Sequence, residues 1–128
     1  ICNAGHQPAL VKIDNDFKEY SSSSMPLGVV KHKDENVFKL EKFKLNKGRI
    51  YCFTDGFSEC MNENKKEIGI EGVKKLILKH QNSSLKKELE NTTEEIRLKS
   101  LKKDSYDVGI KENNETLDDD LTILGIGN

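Results

Sequence analysis

Two short segments constrain this chain more than anything else in it. In Ile50-Tyr51-Cys52-Phe53 and in Leu121-Thr122-Ile123-Leu124-Gly125-Ile126, apolar side chains fall on both faces of an extended chain. Side chains alternate along a strand. Ile50 and Cys52 therefore point one way and Tyr51 and Phe53 the other; Leu121 and Ile123 likewise oppose Leu124 and Ile126. A strand that is apolar on both faces is expected to be covered on both. Each segment also meets aspartate. Thr54-Asp55-Gly56 follows the first, and Asp118-Asp119-Asp120 precedes the second.

The rest of the chain supplies layers for these strands. Residues 8–13 read as a strand that ends at the turn formers Asp14-Asn15-Asp16. Phe17 to Val30, with four serines and then Met25-Pro26-Leu27-Gly28, reads as loop. Asn36 to Leu45 alternates and predicts a half-exposed strand with a bulge near Glu41-Lys42. The turn Asn46-Lys47-Gly48, with Gly48 at the positive φ, would pair it with Arg49–Thr54 as a hairpin. Ile70, Val73, Leu76, Ile77 and His80 fall at helical spacing, with His80 near the helix's last carbonyls. A second amphipathic stretch runs from Leu85 through Leu89 and Ile96 to Leu101. Thr92-Thr93-Glu94-Glu95 fits a capping box and predicts a break near Asn91. Residues 104–118 are polar and read as a long loop. Antiparallel strands with a helix pair before the last one give an α+β sandwich, helices outside the sheets.

Composition excludes several function classes. Charged residues make up 34% of the 128 residues and the net charge is −1, so no basic excess points to nucleic acid. No apolar run reaches membrane-spanning length. Cys2, Cys52 and Cys60 lack Cys-x-x-Cys spacing and read as reduced, buried or half-buried thiols of a cytoplasmic protein. Three scattered histidines argue against a histidine-rich zinc site.

The aspartates carry the candidate chemistry. Asp55 ends an apolar strand, where an ionised carboxylate is costly unless paired, and Gly56 is expected to let the backbone turn sharply beside it. Asp118, Asp119 and Asp120 repel one another, and a divalent cation would relieve that repulsion. Carboxylates suit hard cations such as Mg²⁺ or Mn²⁺. Two such ions about 3.5–4 Å apart can hold a phosphoryl group and acidify a bridging water, so no nucleophilic Ser or Cys is required. An Asp-Gly pair after a strand is also an ordinary turn, and an Asp run before a strand is also an ordinary solvated loop. The EF-hand spacing, a Walker-type glycine loop and a Gly-x-Ser-x-Gly elbow are all missing.

Taken in order, Asn3-Ala4-Gly5-His6-Gln7-Pro8, Pro26-Leu27-Gly28, Thr54-Asp55-Gly56 with Glu59, Ile68-Gly69 and Asp119-Asp120-Leu121-Thr122 span the chain. This ordered set resembles the SpoIIE/RsbU-type PP2C serine/threonine phosphatases. The resemblance implies a four-layer α-β-β-α sandwich of antiparallel sheets, with a two-metal Mn²⁺ or Mg²⁺ centre at one end. The implied substrate is a phosphoserine or phosphothreonine on a STAS-type anti-anti-sigma regulator. Carried over by motif, Asp55 and Asp119 are the catalytic metal ligands. Gly56, with Thr54 and Thr122, would shape the metal loops, and Asp120 would support the metal site or contact metal-bound water. Asp118 is expected in solvent, and Asn3 and His6 are expected to be structural.

One motif of the family does not occur. Asp-x-x-Gly-His-Gly, which supplies the aspartate that bridges both ions, is expected upstream of Ile1. Residues 1–128 are therefore expected to form the C-terminal part of one phosphatase domain, with self-association through exposed sheet edges. A second reading is a phosphatase-like module that binds a STAS or kinase partner without catalysis. A third is an α+β domain with accidental aspartates.

Overall fold

The computed structural model describes residues 1–29, 31, 38–104 and 120–127. It is α+β, as expected. The strands are β1 (Ala9–Ile13), β2 (Asp16–Tyr20), β3 (Arg49–Phe53) and β4 (Ile123–Gly127). The helices are α1 (Asp55–Ser58), α2 (Gly69–His80) and α3 (Leu85–Asp104). The strands form one sheet in the order β2-β1-β3-β4. The second sheet implied by the resemblance is not among the described residues. The chain divides into two compact units, residues 1–52 with 125–128, and residues 53–124.

In the first unit, β1 pairs antiparallel with both β2 and β3. The β1–β2 hairpin turns on Asp14 and Asn15, with Asp14 in the left-handed region at φ 54°. This corrects the loop expected from Phe17. Phe17 and Tyr20 are three apart and do not alternate, so the strand pattern was hidden. Tyr20 is buried opposite Ala9 and stacks on Phe43 with ring centroids 4.9 Å apart. Ala9, Val11 and Tyr20 form a core cluster, against which Ile1, Phe43, Leu45, Ile50 and Cys52 pack; Cys2, expected to be buried or half-buried, is exposed.

The expected strand over 36–45 is also corrected where it is described. Residues 38–45 form no strand. The alternation holds only at its end, where Phe43 and Leu45 are half-buried and Lys42 and Lys44 exposed; Leu40, expected on the apolar face, is exposed. A strand has two ladder edges, however, and both edges of β3 are taken, by β1 and β4. The hairpin partner of β3 is therefore lost to a strand some forty residues earlier. At the turn, Asn46 holds the positive φ of 48° rather than Gly48. Gly48 is needed for room, since a Cβ there would sit 2.7 Å from the Lys12 carbonyl oxygen.

In the second unit, α2 buries Val73, Leu76 and Ile77 and packs against both α1 and α3. α3 does not break near Asn91. Thr93 does not cap a new helix. Its hydroxyl donates to the Leu89 carbonyl at 2.9 Å, one turn back within the same helix. Glu88, Thr92 and Ile96, at spacing four, form a fully buried stripe. The cap lies earlier, where Ser84 Oγ accepts the Lys87 N–H at 3.4 Å.

His80 ends α2 and turns to α3. Its Nε2 lies 3.1 Å from Glu95 Oε2, and Lys79 and Lys99 reach the same carboxylate. Burial alone would raise the Glu95 pKa, but hydrogen bonds from Lys79, His80 and Lys99 outweigh it and hold the group at about 2.

β4 departs from the two-sided burial expected of it. Leu124 and Ile126 are 58% and 53% exposed. β4 is an edge strand of the described sheet, and that face is uncovered. No helix among the described residues is long and apolar enough to cross a membrane.

Candidate active site

The site is built where β3 runs into α1. Phe53 and Phe57 are both fully buried, with ring centroids 6.1 Å apart. Truncating such a ring costs about 3–5 kcal/mol, so the pair anchors α1 firmly. Between them, the Thr54 carbonyl accepts the Phe57 N–H at 3.1 Å. The Asp55 carbonyl accepts the Glu59 N–H at 2.9 Å and the Ser58 hydroxyl at 3.0 Å. The backbone of Asp55 is thereby locked while its side chain faces solvent.

Thr54 then binds the last aspartate motif. Its N–H donates to the Thr122 carbonyl at 3.0 Å. Its hydroxyl donates to the Asp120 carbonyl at 2.7 Å and accepts the Thr122 N–H at 3.1 Å. One side chain thus joins Thr54-Asp55-Gly56 to Asp120-Leu121-Thr122, across 66 to 68 residues of sequence. Asp120 is exposed. Asp118 and Asp119 lie outside the described residues.

Two expectations change here. Asp55 is exposed, so desolvation is not what would draw a cation to it. Gly56 is buried inside α1 and has no positive φ, so the chain enters a helical turn and not a sharp glycine bend. Among the described residues no three His, Cys, Asp or Glu side chains cluster as a metal cage. Asp55, whose carboxylate engages no partner among the described residues, is a hard oxygen donor at a fixed backbone position. That donor suits Mg²⁺ or Mn²⁺ as one part of a ligand set. Glu59 is exposed and contributes its N–H to Asp55.

The first motif is a brace within the first unit. Asn3 Nδ2 donates to the Gln7 and Tyr20 carbonyls, each at 3.1 Å, and Asn3 Oδ1 accepts the His6 N–H at 3.0 Å. Gly5 donates to Ser22 Oγ at 2.6 Å. Its φ is +83°, and a Cβ would lie 2.3 Å from Pro26 Cγ. His6 is exposed. Sequence reading missed Ser22, whose hydroxyl also donates to the Ser24 carbonyl at 2.7 Å. A four-serine run offers no local signal to single it out.

The family model for stage II sporulation protein E (SpoIIE) matches residues 1–127. The chain belongs to the SpoIIE family. SpoIIE domains are PP2C-like phosphatase domains, and PP2C-like enzymes generally use Mn²⁺ or Mg²⁺. Comparison of this SpoIIE-family chain with the curated proteins and with the solved structures gave no significant match.

Proposed function

We propose that this chain serves a metal-dependent serine/threonine protein phosphatase of cytoplasmic signalling, acting on a phosphorylated STAS-type regulator. The observation that carries this reading is the three-bond clasp of Thr54, which sets Asp55 beside the segment that begins at Asp120. Asp55 and Asp119 would hold the cations, with Asp120 supporting them. Bound Mn²⁺ or Mg²⁺ would supply an acidified water and charge stabilisation at the phosphoryl oxygens. Thr54 keeps the two aspartate segments at a fixed spacing, which positions the reacting groups without rearrangement. In the net reaction the water oxygen bonds to phosphorus and the bond to the seryl or threonyl oxygen breaks. The leaving oxygen takes a proton, and inorganic phosphate is released.

The exposed Leu124 and Ile126 support self-association along the β4 side of the sheet. Residues 1–128 contain no Asp-x-x-Gly-His-Gly. By themselves they should therefore bind Mn²⁺ weakly and hydrolyse an aryl phosphate negligibly.

The test is phosphate release by the full-length protein from a phosphoserine STAS substrate, with and without Mn²⁺. Metal-dependent release that Asp55→Asn abolishes supports the reading. Release that persists in Asp55→Asn, or that needs no metal, overturns it.

A further inference from the structure

A groove of about 630 Å³ lies between α3 and the segment leading into β4. Its apolar lining comes from Leu89, Leu121 and Ile123, and Glu90 and Glu94 stand one helical turn apart along it. Thr122 lines the groove and is also the residue held by Thr54. The groove therefore reaches one residue of the clasp, Thr122.

Its chemistry selects one kind of occupant. Glu90 meets Lys86 only at 3.8 Å and Glu94 meets Arg97 only at 4.0 Å, with the side chains of both pairs substantially exposed. Exposed pairs of that length contribute little, so both carboxylates stay available to a partner. An extended peptide alternates its side chains, so an apolar residue can meet Leu121 and Ile123 while its neighbours reach the acidic helix face.

Resting on the phosphatase reading, we infer that this groove binds the stretch of substrate flanking the phosphorylated residue, and that it selects lysine or arginine next to apolar residues. Glu90 and Glu94 recognise the basic side chains and the apolar lining fixes the register. The acidic rim disfavours acidic flanks by like-charge repulsion.

The probes are ten-residue peptides with a central phosphoserine and flanks that alternate leucine with either lysine or glutamate, and their unphosphorylated forms. Anisotropy with the full-length protein should show tighter binding of the lysine peptides, phosphorylated or not. The double exchange Glu90→Lys with Glu94→Lys should weaken that binding about tenfold, while turnover of a small aryl phosphate stays at the wild-type rate. Glu90→Gln with Glu94→Gln, a milder pair at the same exposed positions, should give a smaller loss of the same sign. Equal binding of lysine and glutamate peptides, no binding of either, or unchanged binding in both double variants overturns the inference. Lysine-peptide binding without any aryl phosphate turnover would leave the groove assigned and sink the phosphatase reading instead.

Discussion

Thr54 and Thr122 hold each other by two hydrogen bonds of opposite direction. The Thr54 N–H donates to the Thr122 carbonyl at 3.0 Å, and the Thr122 N–H donates to the Thr54 hydroxyl at 3.1 Å. The same hydroxyl donates to the Asp120 carbonyl at 2.7 Å. Thr54→Val keeps the side-chain shape but removes both hydroxyl bonds. Phosphatase activity of the full-length protein should fall about 10–100-fold, as for lost support of a metal ligand, with apparent Mn²⁺ affinity falling alongside. Thr54→Ser should restore most of both. Activity and Mn²⁺ affinity in Thr54→Val equal to wild type would show that the clasp does not position the site.

The three neighbouring aspartates should separate by register. Laid on Asp119-Asp120-Leu121-Thr122, the family motif would make Asp119 the ligand, and on that proposal Asp119→Asn should abolish metal-dependent phosphate release. Asp120→Asn should cost about 10–100-fold, and Asp118→Asn should be nearly silent. Phosphate release at saturating Mn²⁺, with folding checked by circular dichroism, decides this. A damaging Asp118→Asn beside an active Asp119→Asn would shift the register.

Glu95 links acid stability to the α2–α3 contact. Its pKa of about 2 in the fold lies below the ordinary 4.5. A depressed carboxyl contributes stability that is complete above the unfolded value and is lost as pH falls through the folded one. Urea midpoints should therefore show Glu95→Gln weaker than wild type at pH 6, by about 1 kcal/mol for this partly exposed network. The gap should close between pH 4.5 and 2. A gap constant over that window would assign the effect to packing alone.

Thr92 offers a stabilising change. Its hydroxyl is buried with no hydrogen-bond partner among the described residues. Thr92→Val keeps the branched shape and removes the unmet polar group, which should raise stability by about 1 kcal/mol. A lowered urea midpoint would mean that the hydroxyl has a partner in solution.

Gly5→Ala should destabilise by about 1–3 kcal/mol, the scale for a side chain forced into a left-handed backbone. The new Cβ would also lie 2.8 Å from Pro26 Cα, which is backbone and cannot swing away. An unchanged thermal midpoint would show that the Asn3–Pro8 brace is dispensable.

Local patterns in the sequence determined β1, β3, α2 and the placing of Asp55 just past the end of β3. Those features repeat every 2 or 3.6 residues or mark a chain break, and neighbours along the chain carry them. Ladder partners are different, because an edge goes to whichever strand tertiary packing brings there. β3 paired with β1, and residues 38–45, whose alternation holds only from Lys42 to Leu45, were left without a ladder. The capping-box pattern at Thr92 was likewise overruled, because burial of Thr92 and Ile96 carried α3 straight through it. Only the tertiary structure decided that Asp55 is exposed and that Leu124 and Ile126 face outward. It alone joined Thr54 to Asp120 and Thr122, since a hydroxyl's partner 66 to 68 residues away leaves no periodic trace in the chain.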